Sequence, residues 1–100
     1  MLTMFAALAN PHRLRILASL SANGRNYVSQ LAREAGISRP LLHLHLQKLE
    51  DAGLVTSEFE VMDDGKARKF FTASDFSFEL TPEAIAAAVR SLPPHSANAK

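Results

Sequence analysis

Two helical patterns separated by a single glycine constrain this chain more than any other feature. From Val28 to Val55 it reads VSQLAREAGISRPLLHLHLQKLEDAGLV. Val28, Leu31, Ala32 and Ala35 recur at the spacing of one helix face. Gly36 interrupts that pattern, Ile37 and Ser38 leave room for only a tight turn, and Ser38 is of the type that caps a helix N-terminus. Leu42, Leu46 and Leu49 set a second face, which Gly53 stops, as glycine does just past a helix end. Pro40 is tolerated in the first turn, where its missing N–H has no intrahelical partner. It disfavours helical geometry at Arg39, so the second helix is expected to start at Pro40. Two short helices joined by a glycine-containing turn of about three residues form a helix-turn-helix, whose second helix is built to enter a DNA groove.

The outward side of the second helix decides what it can touch. With the core direction set by Leu42, Leu46 and Leu49, the residues Pro40, Leu44 and Gln47 point most nearly outward. His43 and Lys48 flank them, Arg39 sits at the N-terminal tip, and His45 lies on the border of the buried face. Arg39, His43 and Gln47 can hydrogen-bond base edges or phosphates. Leu44 is a large apolar side chain aimed at solvent. A thymine methyl would suit it, but scattered surface leucines are common, and both readings stay open. Ser29 and Gln30, early in the first motif helix, and Ser38 in the turn complete this set of candidate DNA contacts. On the inner side, Leu42, Leu46 and Leu49 are expected to bury against Leu31, Ile37 and Leu17.

One hundred residues suggest one domain, expected over residues 1–92 with a disordered tail from 93 to 100. The chain is 47% hydrophobic, enough for a core. It has no cysteine, which excludes disulfides and thiolate metal sites and fits a reducing compartment. No apolar run approaches the ~20 residues of a membrane span, and no basic segment precedes an apolar run at the N-terminus. A cytoplasmic protein is the expectation. The net charge of +1 is less telling than its distribution. Residues 10–50 carry six Lys/Arg against two Asp/Glu, whereas residues 51–100 carry five against eight. The basic excess coincides with the helix-turn-helix.

Around the motif the other elements fall into order. Leu2 to Ala9 is a short helix candidate, apolar nearly all round. Asn10-Pro11 is an N-cap followed by proline at the first helical position. The helix it opens shows Leu14, Leu17 and Leu20, with Ile16 beside them. Asn26 to Val28 suggests a short extended segment. After Gly53 the period becomes strand-like: Val55, Ser57, Phe59 and Val61 alternate with Thr56, Glu58 and Glu60. Asp63-Asp64-Gly65-Lys66 is an Asp-Gly turn and Lys66 to Ala73 the return strand, a hairpin in the place of a wing. Lys66, Arg68 and Lys69 put cations on or near its tip, where phosphates or a minor groove could meet them; Asp63 and Asp64 work against this. Alternation of Phe76, Phe78 and Leu80 suggests a further short strand. Thr81-Pro82-Glu83 opens a last helix with the stripe Ile85, Ala88, Val89 and Leu92, ended by Pro93-Pro94. The fold expected is mainly α with a small β-hairpin, in the order α-α-α-α-β-β-α.

The words LANPHRLRIL, LAREAGIS, HLHLQKLEDAGLV and DDGKARKFF, in that order, resemble the ArsR-like winged helix-turn-helix transcriptional regulators over roughly residues 4 to 73. The resemblance implies that the helix from Arg39 to Ala52 lies in the major groove. It also implies a homodimer joined through the first and last helices, Leu2–Ala9 and Pro82–Leu92. Leu2, Phe5, Leu8, Ile85, Val89 and Leu92 are the candidate interface residues, on two apolar faces that the motif and its wing do not obviously need. The chain departs from the metal-sensing members, which use cysteines near the recognition region or carboxylate and histidine ligands on the last helix. Here the last helix offers Glu83 and no histidine, His95 follows two prolines, His12 stands alone, and His43 and His45 are about 200° apart on a helix. No metal or cofactor is expected, and the effector is left open.

These features point to a sequence-specific DNA-binding regulator, a repressor or an activator with repressor the expectation, acting on double-stranded DNA as a homodimer at an inverted-repeat operator. The alternative is a winged helix used for protein–protein contact alone, since a fold does not fix a function. An enzyme is not expected: no nucleophile–base pair, paired carboxylates or glycine-rich loop stands out, and the chain is small for a pocket that excludes water.

Overall fold

The computed structural model describes residues 1–93. The tail expected after the last helix therefore lies, apart from Pro93, outside the described residues. The elements are α1 (Leu2–Leu8), α2 (Pro11–Asn23), β1 (Asn26–Tyr27), α3 (Val28–Ala35), α4 (Arg39–Asp51), β2 (Val55–Val61), β3 (Ala67–Ala73) and α5 (Pro82–Val89). The expected helix and hairpin order is present, in a mainly α winged helix-turn-helix. Among the described residues no helix is long and apolar enough to cross a membrane.

Local chemistry explains most boundaries. The Asn10 side chain accepts from the backbone N–H groups of His12 (2.9 Å) and Arg13 (3.2 Å) at the start of α2. Gly36 ends α3 in the left-handed region, at φ 69°, with its N–H on the Ala32 carbonyl at 2.9 Å. Ser38 is extended and its hydroxyl accepts from the Leu41 N–H at 3.3 Å. That cap lets α4 begin at Arg39, one residue before the expected start. Pro40 falls within the first turn, where no N–H is required of it. At the far end the Leu54 N–H reaches the Leu49 carbonyl (2.9 Å) past Gly53, which turns Leu54 and Val55 into the core.

The sheet holds three antiparallel strands in the order β1-β3-β2. β2 and β3 form the wing in a register from Val55↔Ala73 to Val61↔Ala67. The third strand is the Asn26–Tyr27 segment, paired with Phe71 and Phe70. The further strand expected around Phe76–Leu80 does not form. β3 already has a neighbour on each edge, and Ser74 leaves the sheet with its N–H on the Leu54 carbonyl and its hydroxyl on the Gly53 carbonyl. Phe78 instead meets the Phe5 ring edge-on at 5.5 Å.

The core gathers Ile16, Leu17 and Leu20 of α2, Leu31 and Ala32 of α3, Leu42, Leu46 and Leu49 of α4, and Leu54, Val55 and Phe71 behind them, with Ile37 packed at the side. The expected burial of the three α4 leucines is therefore present. Leu14 is a correction: it is 52% exposed, and Ile16 completes the buried stripe instead. A second correction concerns α1, which is not surplus to the core. Ala7 is buried in it, and Met4 and Leu8 pack against it. The last helix is shorter than expected, ending at Val89; Arg90 to Leu92 continue in tighter i→i+3 turns before Pro93. No residue of α5 is buried, and Ile85, Val89 and Leu92 are about half exposed.

Candidate nucleic-acid interface

α4 buries one face and leaves the other free, so its exposed side chains are held in place by a rigid stem. Arg39 and His43, one turn apart, look across a cleft toward the wing. Tyr27, Val28, Ser29, Arg39, His43, Arg68 and Lys69 line that cleft together. Four expected contact residues, Ser29, Arg39, His43 and Arg68, thus converge from three elements. Among the described residues lining the cleft none is acidic. The wing cations are held against aromatic rings: the Arg68 guanidinium lies 4.8 Å from the Tyr27 ring centre, and Lys69 Nζ lies 5.5 Å from that of Phe71.

The other expected contacts lie elsewhere. Pro40, Leu44 and Gln47 are exposed on the outward side of α4, with Leu44 52% exposed. Gln47 Nε2 donates to Asp51 Oδ1 at 2.8 Å, one turn along the same helix. Lys48 faces α1, beside Thr3, Ala6, Ala7, Arg13 and Asp51. Gln30 is engaged on the surface of α3, donating to Glu34 at 3.1 Å and accepting from Arg33. Ser38 is occupied by its cap. Lys66 is exposed in the wing turn, its backbone N–H on Asp64 Oδ1 at 2.9 Å.

Behind the exposed face of α4 sits a polar tie. His45 is 5% exposed and accepts at Nδ1 from Arg13 Nε at 3.2 Å. The Arg13 guanidinium also donates to the Ala6 carbonyl at 3.2 Å, so one side chain fastens the end of α1 to α2 and α4. Burial, then the Arg13 and His12 charges, hold the His45 pKa below its ordinary value. Its buried Nε2 has no partner among the described residues. His12 is not solitary, as its spacing suggested: its ring lies 5.4 Å from that of His45. Sequence spacing missed both this tie and Tyr27. Their partners are long-range, and the one local sign was a histidine among the leucines of HLHL.

A family model described as a helix-turn-helix domain matches residues 8–58. An uncharacterized HTH-type transcriptional regulator of Methanocaldococcus jannaschii is 40% identical over 82 residues, which is 82% of this chain and 84% of that protein. Among solved structures, this chain is similar to the homodimeric winged helix-turn-helix DNA-binding domain of a possible ArsR-family transcriptional regulator from Mycobacterium bovis. The identity is 28% and the TM-score 0.63, over 88% of this chain and 72% of that one. It is also similar to NolR from Sinorhizobium fredii, at 27% identity and a TM-score of 0.60, over 88% of this chain and 76% of that one.

Proposed function

Since the chain belongs to the helix-turn-helix domain family, in the ArsR-like winged form of transcriptional regulators, we propose that it is a repressor that binds an inverted-repeat operator as a homodimer. One observation carries this reading: Arg39 and His43 of α4 and the wing cation Arg68 open on one cleft whose described lining holds no carboxylate. A cleft of that charge suits a phosphate backbone, with the outward side of α4 left for base edges. Arg39 at the helix tip and Gln47 two turns on are the side chains whose donors match purine edges, and Leu44 suits a thymine methyl.

Dimerisation follows from what one copy lacks. A single recognition helix reads few base pairs, so it discriminates weakly against competing sites. Two copies on a dyad read half-sites about 34 Å apart, and the second half-site binds at high effective concentration. Ile85, Val89 and Leu92 at one end and Leu2 at the other supply exposed apolar surface for that contact, with Phe5 half-buried beside Phe78. The relative from Mycobacterium bovis, described as homodimeric, supports the same assembly. The regulator acts in the compartment that holds the chromosome, by occupying its site rather than by catalysis.

Selection of bound duplexes from a random pool with the purified chain tests this. The expected result is an inverted-repeat consensus whose binding weakens linearly in log affinity against log salt. Recovery of no consensus, with no salt-dependent duplex binding, would refute the reading and favour a protein-contact role.

A further inference from the structure

Register sets up a conflict on the outer face of the wing. Glu60 and Arg68 stand directly opposite each other on β2 and β3. Opposite charges in that position attract, and a pair between them would cancel the Arg68 charge facing the cleft. The structure makes a different pair: the Glu60 carboxylate binds Arg25, in the turn between α2 and β1. Arg25 is held there by a second contact, its guanidinium 4.2 Å from the Phe70 ring centre. Arg68 is left to lie over Tyr27 at 4.8 Å, and the Tyr27 ring is itself braced edge-on against Phe70 at 5.6 Å. Among the described residues no carboxylate pairs with Arg68. Glu58, on the same strand, stands opposite Phe70 rather than a cation.

We propose that Arg25 and Tyr27 are positioning residues for the wing: Arg25 draws Glu60 away from Arg68, and Tyr27 carries the freed Arg68 guanidinium at the mouth of the DNA cleft. This rests on the DNA-binding reading above and adds to it a reason why a wing with two glutamates on β2 still presents a cation from β3. Neither residue need touch DNA. Arg25 acts through Glu60, and Tyr27 acts through the face of its ring, which attracts a cation without neutralising it.

The test measures binding of the full chain to its selected duplex, or to a random-sequence duplex, over a range of salt. A cation bound to one phosphate contributes about 0.9 to the slope of log affinity against log salt, which is about eightfold in affinity at 0.1 M. Arg68→Ala is expected to lose that much. Arg25→Ala is expected to lose a similar amount, because Glu60 turns to Arg68, and the double variant R25A/E60Q to regain the wild-type slope. R25A/E58Q, which removes a charge from the same face without freeing Arg68, should not regain it. Tyr27→Phe should bind as the wild type, and Tyr27→Leu should lose slope. If R25A and R25A/E60Q are equally weak, Arg25 itself holds phosphate and the proposal fails. It fails equally if R25A matches the wild type, or if R25A still weakens binding in an R68A background. Should Tyr27→Leu not fold, the Arg25 series decides. A wild-type chain with no salt-dependent duplex binding would instead refute the DNA-binding reading itself.

Discussion

Leu44 and Leu46 are the same residue type two positions apart on α4, and the fold leaves one exposed and buries the other. Leu46 is 1% exposed, between Leu42 and Leu49 at 0%. The cluster around it draws on α2, α3, β2 and β3, so no single side chain can shift to fill the space it leaves. Leu46→Ala should therefore fall in the upper part of the range for buried leucines, about 3–5 kcal/mol. That is a large share of the roughly 5–15 kcal/mol that holds a domain folded. At about 4 °C or more per kcal/mol for a chain of this size, the unfolding midpoint should drop by at least about 12 °C. Leu44 is 52% exposed. Leu44→Ala should change stability by no more than about 0.5 kcal/mol and, if the proposed contact forms, weaken binding to the best duplex by about 1 kcal/mol, the worth of the apolar area a thymine methyl would cover. Thermal unfolding by circular dichroism, with both variants at one protein concentration, gives the first readout. Titration of a labelled duplex gives the second. A Leu46→Ala midpoint indistinguishable from wild type, or a Leu44→Ala midpoint that falls as far, would mean the buried face of α4 has been misassigned.

Three further outcomes follow from particular contacts. Because the folded-state pKa of His45 lies below its ordinary 6.5, the unfolded chain takes up the proton first as pH falls. Stability should be full above pH 6.5 and decline below it, toward the lower folded-state pKa. His45→Gln should flatten that decline in unfolding scans, and an unchanged pH profile would exclude His45 as its source. Gly36→Ala meets no atom within 4 Å but must hold φ near 69°. Strain alone should cost about 1–2 kcal/mol in denaturant titration, and a cost near zero would mean the turn readily adopts another geometry. Val89→Asp should yield a monomer by sedimentation with helix content retained and operator binding lost; a wild-type chain that sediments as a monomer at micromolar concentration would overturn the dimer model.

The extent of what the chain announces in advance differs by element. Asn10-Pro11, Gly36, Ser38, Gly53 and the Asp-Gly turn act on their own neighbours in sequence, through caps, left-handed backbone and fixed dihedrals, so the boundaries they set were legible within a residue or so, whereas the end of α5 was not. The buried leucines of α4 were legible for the same reason, because a helix face is set by a period of 3.6 residues. The exposed character of Leu44 came with them. What spacing alone did not determine depends on partners far along the chain. Leu14 looked like part of the α2 stripe and is exposed, because the elements packed on α2 cover Ile16 instead. Phe76, Phe78 and Leu80 alternate like a strand, yet β1 had already taken the edge of β3 they would have needed. Lys48 and Gln30 have the composition of DNA contacts but face α1 and Glu34. His45 meets Arg13 across 32 positions of sequence, and Arg25 meets Glu60 from outside the wing. Hydrogen bonds and ion pairs of that kind carry no periodicity. They exist because packing brings two surfaces together, and only the tertiary structure decides which charges are spent inside the molecule and which are left exposed.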